Sequence, residues 1–299
     1  MSQRIATIDF HVTAACTQDC AYCWGPPQHM PAASSAAPSA GLSTNLGTEA
    51  ALVVIERVRA FGVRRIVFTG GDPLLRADIV QLIRHARAQG LEVAVSTTGD
   101  WLTREFLANT AGCIDLVSLP VDGSTEAINA LTKQPGHFTA IMAALDMLGD
   151  FPDIDIKVCT AVTQRNIEDV ANIAALVDRW AQTVPNRVFY NLFQVFPRSW
   201  EPRLWDELLV SDEAWAAMVR AVEARHFSIR INFLSTEVLD GLYVLIFPDG
   251  GLYVPSGPAY HYFGPFSEIE DLDAILNASD FDSIKHLRHS EAWSKERTV

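Results

Sequence analysis

Residues 5–23 read IATIDFHVTAACTQDCAYC, a strand pattern that runs straight into a cysteine-rich loop. Over 5–13, Ile8, Phe10 and Val12 alternate with Asp9, His11 and Thr13, the period of two that separates the faces of a strand. The loop sets Cys16, Cys20 and Cys23 in a C-x3-C-x2-C frame. An iron–sulfur cluster that only stores electrons takes four thiolates. Three thiolates from one short loop hold three irons and leave the fourth open to a small molecule. Zinc sites favour paired C-x-x-C knuckles with a second pair or histidines downstream. No second knuckle follows here, and His29, His261, His286 and His289 form no ligand frame. The frame therefore predicts a [4Fe–4S] cluster with one open iron.

Some fifty residues on, 64–75 read RRIVFTGGDPLL. This is a buried strand, a glycine pair, an acid and a proline. Gly70 and Gly71 let the backbone turn sharply and approach a ligand closely. Asp72 then stands at the C-terminal end of a strand, where α/β folds put their chemistry. Alone, GGDP is an ordinary strand-to-helix turn. Together with the cysteine frame it resembles the radical S-adenosylmethionine (radical SAM) superfamily, whose second motif is usually GGEP. Asp72 replaces the glutamate and is one methylene shorter.

The rest of the chain alternates strand and helix patterns. A helix is expected over 48–61, then a strand at 65–69, a helix near 76–89, a strand at 91–96 and a helix near 102–110. A strand near 114–119, helical stretches at 124–132 and 137–148, a strand at 154–162, a helix from Asn166 to about 182 and a strand at 187–194 follow. Six βα-type units predict a parallel sheet with helices outside. The fold class is α/β, a partial (β/α)6 TIM-type barrel, the superfamily's usual core. After residue 200 the rhythm changes to an amphipathic helix (211–227), strand patterns and a helical end. The Asp249-Gly250-Gly251 turn predicts a hairpin. We expect residues 1–205 to form the core barrel and 206–299 a C-terminal α+β cap packed on it.

Composition narrows the partners. The 299 residues carry a net charge of −13, which works against a nucleic-acid polyanion as substrate. No apolar run reaches the ~18 residues of a membrane span, and the chain enters a strand almost at once, so no signal peptide is expected. Five cysteines, three of them in a metal frame, argue for a reducing, cytoplasmic setting rather than a disulfide scaffold. Residues 26–44, PPQHMPAASSAAPSAGLST, directly follow Cys23 and are too poor in large apolar residues to build a core. They read either as a surface insertion or as a lid that orders over substrate.

Order, spacing and tail are most similar to the viperin branch of radical SAM enzymes. FHVTAACTQDCAYC matches its opening strand and cluster loop, DIKVCTAVTQRN its strand-loop with a lysine and a terminal asparagine, and FYNLFQ its sixth strand. YVLIFPDGGLYV and the terminal AWSK match the tail. The resemblance implies S-adenosylmethionine on the open iron and a 5′-deoxyadenosyl radical that takes hydrogen from a small polar substrate of nucleoside, nucleotide or sugar type. It also implies a one-electron reductant such as flavodoxin or ferredoxin. By resemblance, Gly70, Gly71 and Asp72 would hold the methionine amino group, Ser118 and Lys133 the cofactor's hydroxyl and carboxylate ends, and Tyr22 would lie beside adenine. Viperins act on cytidine triphosphate and grip it with basic residues on the inner strands. Lys157 and Arg65 fall on such positions, while Phe189 and Asn191 stand where further basic residues would be expected. Asn191 is then a substrate contact without charge. FPDGGLYVP also resembles the hairpin that carries auxiliary-cluster cysteines in SPASM-type maturases, but Ser256 stands about where the cysteine would be.

Cys159 has two readings. By the period of two, Asp155, Lys157 and Cys159 point into the barrel while Ile154, Ile156, Val158 and Val162 face the outer helices. The thiol is then either a small buried strand residue or the catalytic donor of a hydrogen atom, as in radical epimerases. The second use gives the alternative function, a radical SAM peptide-modifying enzyme or epimerase. Cys113 opens a strand and reads as core packing. Asp9 and His11 read as polar barrel lining.

Overall fold

A computed structural model describes residues 5–23, 45–195 and 202–293. The stretch 26–44 and the last two residues of AWSK lie outside the described residues. The chain divides into two compact units, one of Met1–Cys16, Gly25–Val95 and Val238–Val299, the other of Thr17–Trp24 and Ser96–Glu237.

In the first unit, β1 (Thr7–His11), β2 (Arg65–Thr69) and β3 (Glu92–Ser96) pair in parallel, with Thr7 opposite Arg65 and Arg65 opposite Glu92. The helices between them, α1 (Thr48–Ala60) and α2 (Ile79–Ala88), bury one stripe each. On α1 it is Ala51, Val54, Ile55 and Val58, and on α2 Ile79, Leu82, Ile83 and Ala86, both at the i, i+3, i+4, i+7 spacing of a helix face. Ile8, Phe10 and Val12 of the first strand segment are fully buried, but His11 and Thr13 are buried too. The alternation seen in the sequence thus separates two covered faces, as parallel sheets require. The helix expected from residue 76 begins at Ile79 instead. Ahead of it Pro73–Leu75 form a 3-10 turn, and Arg76 binds Asp78 at 2.6 and 2.9 Å and the Val12 carbonyl at 2.9 Å.

The same unit receives the chain's end. β8 (Leu245–Ile246) joins β1 in parallel on the side away from β2, with Asp9 opposite Leu245. β9 (Gly251–Ser256) pairs antiparallel with β8, so the expected Asp249–Gly251 hairpin is present. β10 (Ala259–Pro265), which the sequence pattern did not suggest, extends the sheet antiparallel to β9. The helical end divides into α10 (Leu272–Asn277) and α11 (Ser283–Glu291). His286 of α11 ties it to the start of β1, its Nε2 accepting from the Ala6 and Thr7 amides at 3.0 and 3.1 Å.

In the second unit, β4 (Leu116–Pro120), β5 (Asp155–Val162), β6 (Val188–Gln194) and β7 (Arg230–Leu234) are parallel neighbours in that order. The connecting helices are α3 (Arg104–Asn109), α4 (Glu126–Asn129), α5 (His137–Leu148), α6 (Val170–Ala181), α7 (Pro202–Leu208) and α8 (Asp212–Glu223), with the short α9 (Thr236–Leu239) after β7. Thr103, Thr125 and Ser211 cap α3, α4 and α8 by accepting from amides three residues on, each cap worth about 1 kcal/mol. Parallel strands each followed by a helix, with an α+β segment at the end of the chain, are the arrangement of a partial (β/α)6 TIM-type barrel.

Candidate active site

The loop that leaves β1 is held backbone to backbone. Gly71 N donates to the Thr13 carbonyl at 2.8 Å and Asp72 N to the Ala15 carbonyl at 2.7 Å. A Cβ on Gly70 would stand 2.3 Å from the Thr13 oxygen, and one on Gly71 2.1 Å from the Ala15 oxygen. Gly70 also has φ +146°, a conformation that side chains resist. The close approach read from the sequence is therefore made to the chain's own cysteine loop. Asn45 grips the same turn, its Oδ1 accepting from Ala14 N at 3.3 Å and its Nδ2 donating to Thr13 Oγ1 at 3.1 Å. Asp72 is fully buried and accepts from Leu74 N at 3.0 Å, capping the 3-10 turn. The segment that delivers Cys16 is thus fixed by β2's C-terminal end.

Residues 17–23 are fixed within the second unit. Asp100 accepts from Thr17 Oγ1 and from Gln18 Nε2, the latter at 2.7 Å, and Gln18 Oε1 accepts from Gln134 N at 2.9 Å. Lys133 Nζ lies 3.3 Å from Cys20 Sγ, 3.5 Å from Asp122 Oδ2 and 5.1 Å from the centre of the Tyr22 ring. Burial works against the Lys133 cation, but Cys20 and Asp122 outweigh it and hold the ammonium above its usual pKa. Tyr22 donates its hydroxyl to Asp122. Burial first, then the charges of Asp122 and Cys20, keep that phenol protonated well above its usual range.

Asp122 was not singled out in the sequence. It is 1% exposed and follows β4. Its carboxylate also accepts from Ala161 N at 2.9 Å and Thr132 Oγ1 at 3.2 Å. Its amide donates to Asn129 Oδ1 at 3.0 Å, and its carbonyl accepts from Asn166 Nδ2 at 2.9 Å. Asn129 in turn meets His137 Nδ1 at 3.1 Å, and His137 Nε2 lies 3.0 Å from the Thr98 carbonyl. Burial, then the Lys133 charge, depresses His137, so the ring is neutral. One signal for Asp122 was available: an acid close behind an apolar strand, the placement that marked Asp72.

Deeper in the second unit, Cys159 Sγ lies 3.3 Å from Ser118 Oγ. Burial pushes its thiol up, against the opposing pull of Lys157 and the Ser118 hydrogen bond. Cys159 is in register with Asn191, and Asn191 with Asn232. Lys157 is buried one level below, between Ser118 and Phe189. Arg65 does not fit the substrate role expected of it. It opens β2 at the end opposite Gly70, and its guanidinium is committed to Glu92 at 2.6 Å and to the Ser290 and Trp293 carbonyls at 3.3 and 3.4 Å. Its charge ties the strand to the C-terminal helix.

The donor set suits an iron–sulfur cluster. Cys16, Cys20 and Cys23 are free thiols, Cys23 exposed and the others half-buried. Among the described residues no three Cys, His, Asp or Glu side chains are already gathered as a ligand group. Among the same residues, no helix is long and apolar enough to cross a membrane.

Comparison with known proteins agrees with this chemistry. The Radical SAM superfamily model matches residues 10–177. The chain is 24% identical to an S-adenosylmethionine-dependent nucleotide dehydratase of Lacinutrix mariniflava, over 97% of this chain and 59% of that protein. A dehydratase of the same description from Flammeovirga pacifica is 24% identical over 89% of this chain and 88% of its own. A mycofactocin maturase of Mycobacterium ulcerans is 27% identical over 67% of this chain and 50% of its own. The chain thus spans between about half and nearly nine-tenths of these relatives. Among solved structures, anSMEcpe with bound AdoMet gives a TM-score of 0.65 at 12% identity, covering 95% of this chain and 82% of that one. Streptococcus suis SuiB bound to S-adenosylmethionine gives 0.64 at 11%, over 94% and 68%.

Proposed function

This chain belongs to the radical SAM superfamily, and from that premise we propose that it abstracts hydrogen from a small polar substrate of nucleoside, nucleotide or sugar type. It is a radical SAM enzyme whose cofactors are a [4Fe–4S] cluster and S-adenosylmethionine. Bound together, these supply a 5′-deoxyadenosyl radical able to attack an unactivated C–H bond, while the protein supplies orientation and exclusion of water. We assign Cys16, Cys20 and Cys23 to the cluster. Gly70, Gly71 and Asp72, with Ser118, Lys133 and Tyr22, are assigned to S-adenosylmethionine. Lys157 and Asn191 are assigned to substrate. Residues 1–205 would carry this machinery, with 206–299 as an extension to it.

The observation that carries the substrate class is the likeness to two nucleotide dehydratases along 97% and 89% of the chain. Anaerobic formation of 5′-deoxyadenosine by the reconstituted, reduced protein tests it, across nucleosides, nucleotides, nucleotide sugars and short peptides. Acceleration by a nucleoside or nucleotide supports the reading, and acceleration by peptides alone overturns it.

The second reading, a peptide-modifying enzyme or epimerase, draws on Cys159. Burial keeps its thiol protonated next to Ser118, so an S–H hydrogen is present to be given to a substrate radical. In D2O such an enzyme would leave deuterium in its product, and Cys159→Ala would not. Product free of deuterium from the unaltered protein would remove this role from Cys159.

A further inference from the structure

The second unit's sheet carries its polar side chains in levels. Register places Cys159, Asn191 and Asn232 side by side on β5, β6 and β7. In a parallel sheet, residues in register point to the same face, about 4.8 Å apart from strand to strand. Asn232 Nδ2 donates to Asn191 Oδ1 at 2.8 Å. That bond orients the Asn191 carboxamide, which leaves its NH2 as the free end. Asn191 is 1% exposed, and its Nδ2 has no hydrogen-bond partner among the described residues. A buried amide donor without an acceptor destabilises a fold, and native structures hold few of them. A group of this kind persists where something outside the chain completes it.

The neighbouring levels say what that something is. One step toward the strands' N-terminal ends lie Lys157, Phe189 and Arg230. One step toward the C-terminal ends lie Ala161, Phe193 and Leu234, an apolar level. The level of Asn191 itself holds a thiol and two carboxamides and no cation. Lys157, a buried cation, lies one level below, so charge on the substrate would be met at that level, while a group that stops at Asn191 meets one neutral donor. Charge buried without a partner is strongly unfavourable, whereas a hydroxyl or carbonyl needs only the one donor that is present.

We propose that the Asn191 NH2, oriented by Asn232, binds a neutral hydroxyl or carbonyl oxygen of the substrate beside Cys159, so that the substrate group read at this level is uncharged. This rests on the small-polar-substrate reading above and adds that the substrate presents an uncharged oxygen at this level, whatever charge it carries elsewhere. Asn191 is the contact residue, and Asn232 is a positioning residue that acts through it.

Two measurements test this. The anaerobic holoprotein with S-adenosylmethionine is given cytidine or cytidine 5′-triphosphate as matched probes, and 5′-deoxyadenosine is followed. Whichever probe is accepted should accelerate its formation by about tenfold or more, the worth of one well-made hydrogen bond to substrate. Asn232→Ala should raise the probe concentration needed for half-maximal rate. Separately, Asn191→Leu combined with Asn232→Leu replaces the unpaired NH2, and the Asn232 donor that Asn191→Leu alone would leave without its acceptor, by apolar groups of similar size. Melting of this double variant without substrate should rise by about 2 °C or more, while the response to the accepted probe is lost. The inference is overturned if the double variant keeps that response, or if it melts lower than the unaltered protein. If neither probe accelerates turnover, the melting shift decides alone. No 5′-deoxyadenosine under any condition would instead sink the radical reading, and the melting comparison does not depend on that result.

Discussion

At the scale of single residues, Asp122 joins several of the polar contacts that hold the 17–23 segment in the second unit. It is buried between a lysine ammonium, a tyrosine hydroxyl, a threonine hydroxyl and a backbone amide. A buried ion pair adds little net stability, but removing one partner leaves the other charged and unpaired. Asp122→Ala should therefore destabilise the fold by about 3–5 kcal/mol. Asp122→Asn keeps the shape and most hydrogen bonds, so it should lose clearly less. Chemical denaturation of both variants checks the order, and equal losses would show that the carboxylate's charge is irrelevant. Lys133 and Tyr22 were readable in the sequence through the radical SAM resemblance, Tyr22 between the second and third cysteines of the frame. Asp122 was not, because an aspartate before glycine also reads as a turn. The Asn191–Asn232 bond joins residues 41 positions apart, and nothing local in either strand announces it. Arg65 was expected at the substrate by resemblance to the basic inner-strand positions of viperins, and its partners Ser290 and Trp293, more than two hundred residues later, are not visible beside it in the sequence.

At the scale of elements, the β2 turn and the cysteine loop form one device. Two amides of 71–72 hydrogen-bond carbonyls of 13–15, and both glycines lack side chains where a Cβ would meet those carbonyls. Gly71→Ala cannot be accommodated without moving backbone, since the obstruction is the Ala15 oxygen at 2.1 Å. Overpacking of this kind typically costs about 1–3 kcal/mol. The displaced loop is the one that delivers Cys16, so iron bound per chain after reconstitution should fall with the melting temperature. Full iron loading of Gly71→Ala would mean that the glycine serves something other than the loop. The elements were largely legible because period and punctuation agreed. The strand at 65–69 and the helix at 137–148 begin and end where expected. β10 escaped because AYHYFGP mixes aromatic and exposed positions at a sheet edge, where one uncovered face blurs the apolar alternation. The 3-10 turn at 73–75 escaped because Asp72 caps it at Leu74 N and Arg76 closes it by a bond to the distant Val12 carbonyl, which propensity alone does not encode.

At the scale of the whole molecule, buried neutral histidines make stability depend on pH. Burial lowers His11 to about 3, with its ring edge-on to Phe247 at 5.0 Å. Burial also lowers His137 and His286. His286 can accept the Ala6 and Thr7 amides only while Nε2 is unprotonated, and its Nδ1 meets the Leu242 carbonyl at 2.9 Å. In the unfolded chain all three titrate near 6.5. A pKa lower in the folded state means that the unfolded state binds more protons as pH falls. The stabilisation is therefore complete above about 6.5 and is lost progressively below it. At pH 5.5, each histidine that stays neutral in the fold has given up about 1.4 kcal/mol. Two other effects can be separated from this. The lowered carboxylates Asp78 and Asp178 lose their contribution only below the ordinary carboxylate pKa. The net charge of −13 becomes less negative on acidification, and relief of that repulsion would raise stability. A fall in melting temperature between pH 7.5 and 5.5 therefore identifies the histidines by its sign. His286→Gln, which cannot be protonated, should start from a lower melting temperature and show a shallower fall. A flat profile in the unaltered protein, or an unchanged slope in the variant, would show that these rings are hydrated or charged in the fold and that α11 is not held to β1 by a neutral imidazole.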